Sequence, residues 1–171
     1  MNWLAMSDTA SKPNLIRAAE HSSHEAGRWR FSHPFNPGSD VEGFALSTLC
    51  GLARAAVNLM RVPPGKESFA YHRHAAEEEW VYILAGRGVA EIGDETYEVG
   101  PGDFMGFAAA GAAHHLKNPY GEELVYLAGG ERHEVEIADF PRAGKRLVRV
   151  GEKIAVHDLA TAESFGRFEK P

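Results

Sequence analysis

The sequence predicts an all-β fold of short antiparallel strands, arranged as a sandwich or a barrel. Strand-like segments recur at nearly regular spacing between residues 41 and 130, and Gly, Pro or Asn residues separate them. Long segments with helical periodicity are not evident, so the crossover helices of a parallel α/β fold have no place in the chain.

The predicted strands are short and either apolar or alternating. Proline and glycine turns, such as the one at residues 63–65, mark their ends. The strands are Gly43–Leu52, Ala56–Val62, Trp80–Leu84, Val89–Ile92, Thr96–Val99, Phe104–Phe107, His114–Lys117 and Glu123–Ala128.

The 171 residues suit one domain with additions at both ends. We expect an extended arm at residues 1–40, with one short strand around Leu15–Ala18, and a β-barrel at residues 41–135. Residues 136–171 are expected to form an extension that packs on the barrel. It would contain an edge strand at Arg146–Val150 and a short helix capped by Asp158.

Composition and charge exclude several classes of partner. Hydrophobic residues make up 44% and charged residues 25% of the chain, as in ordinary globular proteins, and the net charge is −6. Neither nucleic acid nor an anionic membrane suits that charge. A single cysteine, Cys50, allows no intrachain disulfide, and no stretch has the pattern of a secretory signal or a membrane span. We therefore expect a cytoplasmic protein.

One stretch carries chemistry, and it contains His72, His74 and Glu79. Its pattern is Gly65-x6-His72-x-His74-x4-Glu79-x6-Gly86. Alternation in a strand places the two histidines on one face, about 7 Å apart. Glu79 begins the next strand, in phase with the apolar residues that follow it.

A third histidine, His114, follows in the pattern Gly111-x2-His114-x3-Asn118. Three imidazoles and a carboxylate suit a divalent transition metal such as Fe, Mn, Ni, Cu or Zn. The alternative is that Glu77, Glu78 and Glu79 form only a solvated acidic run beside unrelated surface histidines.

Both stretches resemble the two signature motifs of the cupin superfamily. The first motif, Gly65 to Gly86, has one extra residue before His72, and the second, Gly93 to Asn118, has Ala109 where proline is usual. The resemblance covers roughly residues 55–130 and implies a double-stranded β-helix, or jelly-roll barrel, with an ion in its mouth. It implies that the ligands are His72, His74, Glu79 and His114.

Other residues are weaker candidates for the site. His115 should face away from His114 as a surface or interface histidine, Arg73 should point away from the ion, and Asn118 should organise a turn. His133 could reach the barrel mouth. Aromatic residues are more often core than pocket, and five of them could line a pocket: Tyr71, Tyr82, Phe104, Phe107 and Tyr126.

The predicted function is that of a metal-dependent cupin acting on a small organic molecule. By the resemblance, a mononuclear iron dioxygenase is the first choice and an isomerase is a further possibility. The alternative is a non-catalytic domain that binds or senses a small ligand, and a storage role is the weakest interpretation. We expect a homodimer, because open sheets have edges to cover and cupins often pair them.

Overall fold

The computed structural model describes residues 12–19, 24–163 and 166. Almost all regular structure in this part of the chain is β-strand, in antiparallel pairs. A four-residue helix, α1 at Leu46–Leu49, is the single α-helix of the described residues. Single 3₁₀ turns lie at Glu25–Gly27, Pro141–Ala143 and Leu159–Thr161.

The largest sheet has six strands, and its centre joins segments far apart in sequence. Its order is β1 (Arg28–Phe31), β2 (Val41–Phe44), β3 (Ala55–Val62), β10 (Leu124–Glu131), β5 (Glu79–Ala85) and β8 (Phe104–Phe107). Strand β10 pairs with β3 along its full length and with β5 on its other side.

Two smaller sheets complete the fold. One has the order β13 (Lys153–Asp158), β12 (Lys145–Val150), β11 (Val135–Phe140) and β4 (Arg73–His74). The other has the order β7 (Glu95–Val99), β6 (Gly88–Ile92) and β9 (His114–Lys117). The three sheets are not joined into one continuously hydrogen-bonded barrel.

Alternation along the central strands builds the main core. Met60 and Val62 of β3, Val81 and Ile83 of β5, and Tyr126 of β10 are buried in one cluster. A smaller cluster of Ala70, Ala138 and Phe140 lies behind the four-stranded sheet. Between these clusters the facing sheets leave room for a cavity, described below.

Most predicted strands are present, but several end segments differ. The predicted strand Gly43–Leu52 stops at Phe44, after which α1 begins, and the strand around Leu15–Ala18 is not formed. Strand β12 covers Arg146–Val150 but is not an edge, because β13 pairs with its outer side. Asp158 caps a 3₁₀ turn through Ala160 N–H rather than a longer helix.

The predicted limits at residues 40 and 135 stay predictions. Strand β1 lies in the predicted arm yet pairs with β2, and β11 runs across residue 135. No helix in the described part of the chain is long and apolar enough to cross a membrane.

Candidate metal centre

The four predicted ligands lie in short strands and an isolated bridge that meet beside the cavity between the sheets. His72 and His114 form an isolated bridge, in which each backbone N–H donates to the other residue's carbonyl. His74 ends β4, which pairs with β11, and Glu79 is the first residue of β5.

One carboxylate oxygen is the focus of the cluster. Oε2 of Glu79 lies 2.9 Å from Nε2 of His114, 3.4 Å from Nε2 of His74 and 3.7 Å from Nε2 of His72. Atoms that share one transition-metal ion at about 2.1 Å lie about 3.0 Å apart in an octahedron and about 3.4 Å apart in a tetrahedron. The distances from Glu79 to His114 and His74 match these values, and the distance to His72 is slightly longer.

The compact part of this group is His72, His74 and Glu79, whose donor atoms all lie within 4.8 Å of one another. His114 lies outside that limit although it contacts Glu79. Its ring is stacked on Phe107, with 3.6 Å between ring centroids, and this packing fixes the imidazole plane.

In each of the three histidines, Nε2 is the ring nitrogen that faces Glu79 and would bind a metal ion. Nδ1 of His72 lies 2.7 Å from the carbonyl oxygen of Ala70, which must accept its proton, so Nε2 keeps its lone pair. Nδ1 of His74 and of His114 are buried without a hydrogen-bond partner. No hydrogen bond at Nδ1 therefore fixes which nitrogen of these two rings carries the proton, and Nε2 of each can act as a metal donor.

The charges at the centre favour an ionised carboxylate beside imidazoles. Burial opposes ionisation of Glu79, but the neighbouring imidazoles of His114, His72 and His74 hold the pKa of that carboxyl well below its usual value. Burial lowers the pKa of His114. Burial also acts against a charged His74, but Glu79 and Glu136 outweigh it and raise the pKa of His74.

A second grouping of His74, Glu77 and Glu136 shares one histidine with the first. Its carboxylates already have partners. Glu136 accepts hydrogen bonds from the backbone N–H groups of Ala75, Ala76 and Glu77, and Glu77 pairs with Arg149. The first grouping is the better candidate for a metal ion.

The centre opens into a cavity of about 320 Å³ between the six-stranded and four-stranded sheets. We call this the main cavity. Its lining includes His72, His74 and Glu79, and β1, β3 and β10 supply the facing wall. The wall residues include Trp29, Phe31, Asn58, Met60 and Ala128.

Several predictions about neighbouring residues can be compared with the structure. Arg73 points away from the centre and pairs with Asp139, and Asn118 organises its turn by donating to Val62 O and Glu122 O. His133, a weak candidate for the barrel mouth, is 44% exposed at its side chain and is not part of the cavity lining.

His115 was expected on the surface or in an interface, but it is buried. Its ring lies between Glu67 and Glu91, 3.4 Å and 3.3 Å away, beside a second cavity of about 110 Å³. It does face away from the candidate centre. Alternation along the strand predicted which way the His115 side chain points. The residues that cover it come from segments far away in the sequence.

The five aromatic candidates do not line the main cavity. Tyr126 is core, Phe107 backs His114, and Tyr71 borders the second cavity. Phe104 and Tyr82 are exposed.

Sequence reasoning missed two groups of the site. Glu136 is buried in β11, but the neighbouring apolar residues Val135 and Ile137 alternate with it and so would place it on the outer face. His33 has no local signal. It enters the main cavity lining from the arm, where Nδ1 accepts a hydrogen bond from Phe35 N–H. Burial, reinforced by His72 and His115, lowers the pKa of His33 to about 4.

Comparison with known proteins identifies the class of this fold and site. The cupin domain family matches residues 58–136, which contain all four predicted ligands. The chain belongs to the cupin superfamily, and the predicted double-stranded β-helix fold is confirmed. No match is found among curated proteins.

Solved structures give the same fold. One, from Acidithiobacillus ferrooxidans and named provisionally as a sugar phosphate isomerase, is 34% identical; the match covers 94% of this chain and 100% of that chain, with a TM-score of 0.83.

Two others show likeness of fold alone. A sugar phosphate isomerase of the cupin superfamily from Silicibacter pomeroyi is 22% identical, over 79% of this chain and 87% of that chain, with a TM-score of 0.72. A predicted oxalate decarboxylase from Thermotoga maritima is 24% identical, over 70% of this chain and 99% of that chain, with a TM-score of 0.56.

Proposed function

We propose that the protein is a metal-dependent isomerase of a small hydroxycarbonyl compound. The observation that carries the proposal is the convergence of three imidazole Nε2 atoms on one oxygen of Glu79 at the wall of the main cavity. His72, His74, Glu79 and His114 would hold the ion.

The reaction type is supported by the solved relative at 34% identity, whose name refers to sugar phosphate isomerisation. Isomerisation of a hydroxycarbonyl compound moves hydrogen between neighbouring carbons and needs no co-substrate. A divalent ion, when bound, would polarise the carbonyl oxygen of the substrate. The comparison therefore favours isomerisation over the dioxygenase chemistry that the sequence analysis placed first.

The chain's own residues supply binding and orientation. Phe107 and Phe140 pack against the rings of His114 and His72, which limits rotation of the imidazoles. Facing them, Trp29 and Phe31 form an apolar wall that displaces water when a substrate enters the cavity.

The test combines metal content with turnover. The chain is purified, stripped with a chelator and reloaded with Mn²⁺, Fe²⁺, Co²⁺, Ni²⁺ or Zn²⁺. Elemental analysis should give close to one ion per chain, and proton NMR in D₂O should show interconversion of an aldose and a ketose, with or without phosphate. Oxygen consumption with Fe²⁺ would instead support a dioxygenase, and ligand binding without turnover would support a non-catalytic binding domain.

The ligand assignment has its own variants. His72→Ala and Glu79→Gln should lose bound metal and turnover together, because each removes one donor from the centre. His157→Ala is the matched control, since His157 is exposed on β13 and is not among the residues that line the cavity. Full metal content in His72→Ala would overturn the assignment.

We also propose that the chain forms a homodimer in the cytoplasm. Ile154 and Val156 lie on one face of the outer strand β13, with 41% and 49% of their surfaces exposed. Light scattering during size-exclusion chromatography measures the state directly, and a monomer would remove this proposal.

A further inference from the structure

The main cavity is strongly acidic. Among the described residues that line it, five are carboxylates and one is a guanidinium, and histidines apart these are its ionisable groups: Glu77, Glu78, Glu79, Glu131, Glu136 and Arg149. A divalent ion at the candidate centre would offset only half of the four excess negative charges.

The one cation of this lining is already engaged. Arg149 pairs with Glu77 and also donates to the carbonyl oxygen of His133. Glu136 is satisfied by three backbone N–H groups, and Glu79 belongs to the candidate metal centre. Glu78 and Glu131 are exposed residues of the cavity lining and have no Arg or Lys partner among the described residues, so they add negative charge where the cavity meets solvent.

A phosphate group would meet repulsion in this cavity. Phosphate sites in proteins use Arg or Lys side chains or the N-terminus of a helix. Within the described lining, Arg149 is committed elsewhere and every other residue belongs to a strand or a connecting segment. Like charges brought together in an incompletely solvated site are strongly unfavourable, which makes them a means of rejecting a ligand.

Two cavity-lining residues hold buried polar atoms that an uncharged hydroxyl group would satisfy once their side chains turn toward the cavity. Nε1 of Trp29, a donor, and Oδ1 of Asn58, an acceptor, are buried without a hydrogen-bond partner, and both residues line the cavity. His33 uses Nδ1 as an acceptor for Phe35 N–H, so Nε2 carries the proton and can donate. A hydroxyl group both donates and accepts, and so can satisfy either kind of atom.

The apolar part of the wall suits the C–H face of a sugar ring. Trp29 and Phe31 each pack against Phe69, with ring centroids 6.3 Å and 5.6 Å apart. An aromatic wall with a few polar groups is typical of a small-molecule site, and a cavity of about 320 Å³ is large enough for one.

The geometry points to an unphosphorylated polyhydroxylated carbonyl compound, an aldose or ketose without phosphate, as the ligand of the main cavity. This inference rests on the proposed function for the reaction, but its binding test does not require turnover. It departs from the substrate class in the name of the solved relative at 34% identity.

The experiment compares matched pairs: glucose with glucose 6-phosphate, fructose with fructose 6-phosphate, and ribose with ribose 5-phosphate. Isothermal titration calorimetry of the Mn²⁺-loaded chain measures each dissociation constant at low and at high salt. At low salt, at least one neutral sugar should bind about tenfold or more tightly than its phosphate. The difference should shrink as salt is added.

The outcomes separate the two proposals. Tighter binding of the phosphates, or no binding of any neutral sugar, overturns the inference. Turnover of the phosphates alone also overturns it and leaves the proposed isomerase standing. Binding of a neutral sugar without turnover of any sugar supports the inference and contradicts the proposed isomerase.

Variants test the two physical causes separately. Glu131→Gln removes one negative charge from the cavity lining and should strengthen phosphate binding several-fold relative to neutral-sugar binding. Glu134→Gln, outside the described cavity lining, is its control.

Trp29→Phe keeps the ring but removes the N–H donor, and Asn58→Leu removes the acceptor; each should weaken neutral-sugar binding about tenfold. Unchanged neutral-sugar affinity in both would overturn the hydrogen-bonding argument, and circular dichroism verifies folding.

Discussion

Glu136 lies behind His74, with Oε1 3.4 Å from Nδ1 of the imidazole. The distance is within the range of an ion pair, but Nδ1 still has no hydrogen-bond partner. The same carboxylate accepts backbone hydrogen bonds of 3.0, 3.2 and 2.9 Å from Ala75, Ala76 and Glu77. Glu136 thus ties the segment between His74 and Glu79 to β11, and a small rotation of the imidazole would complete a carboxylate–histidine–metal arrangement.

We predict that Glu136→Gln lowers both metal affinity and stability. An amide cannot accept all three backbone hydrogen bonds, so the free energy of unfolding should fall by about 1–3 kcal/mol. Loss of the carboxylate behind a ligand should weaken metal binding about 10- to 100-fold. Competition with a chelator and thermal denaturation measure the two effects. Glu134→Gln should leave both unchanged, and equal metal affinity in the two variants would contradict the positioning role.

We predict that Gly43→Ala disturbs the cavity wall. Gly43 lies opposite Trp29 in the β1–β2 pair, and an added Cβ would come 2.0 Å from the indole ring. The ring must move, which should cost about 1–3 kcal/mol and change the cavity shape. Denaturant unfolding measures the loss. Gly121→Ala is the control, because nothing lies within 4 Å of its Cβ position, and equal stability of both variants would contradict this packing.

We predict that Glu91→Gln destabilises the protein at neutral pH but much less in acid. Burial works against ionisation of Glu91, but hydrogen bonds and charges of Arg142 and Lys117 lower its pKa from 4.5 to about 2. A lowered carboxyl pKa adds stability above the unfolded-state value, and this stability is lost as the pH falls from about 4.5 toward 2.

The expected loss at pH 7 is about 1–3 kcal/mol. Melting temperatures recorded between pH 7 and pH 2.5 should show the two proteins converging. Glu98→Gln removes a 61%-exposed partner of Arg87 and should cost less than about 1 kcal/mol throughout. A gap between Glu91→Gln and wild type that is independent of pH would contradict the ion-pair explanation.

We predict that Asn36→Ala loosens the arm that carries Trp29 and His33. The Asn36 amide donates to Oε2 of Glu67 at 3.0 Å and to Phe69 O at 2.8 Å. Losing both should cost about 1–3 kcal/mol and leave buried acceptors unsatisfied. Limited proteolysis should then cut within residues 28–40 faster than in wild type. Asn14→Ala, at an exposed position, should leave the cleavage rate unchanged.

Local patterns were enough to predict the centre of the fold. The alternation in Ala56–Val62 and the β-branched and aromatic residues of Trp80–Leu84 indicated strands, and these strands are present, with Met60, Val81 and Ile83 buried. The spacing of His72, His74 and Glu79 placed three candidate donors together, and the structure brings them together. Their role as metal ligands stays a prediction.

Contacts between distant segments could not be predicted in the same way. Prolines interrupt the arm, and its apolar residues show no sustained helical or strand periodicity. The pairing of β1 with β2 and the position of His33 were therefore not predicted. Glu136 was placed in the C-terminal extension. Its hydrogen-bond partners, Ala75 to Glu77, lie about sixty residues earlier in the sequence, so no local pattern indicates them. For both His33 and Glu136, the neighbouring residues in the sequence do not indicate which residues surround the side chain.

The same long separations set the order of events when the chain folds. Ala75 and Glu136, which are hydrogen-bonded behind the candidate centre, are 61 residues apart in sequence. Such non-local pairing is typical of slow folding, on the scale of milliseconds to seconds. During synthesis His72, His74 and Glu79 emerge well before β11. The segment between His74 and Glu79 therefore has no contact with Glu136 until β11 has been made. The candidate centre is therefore complete only after β11 has joined the fold.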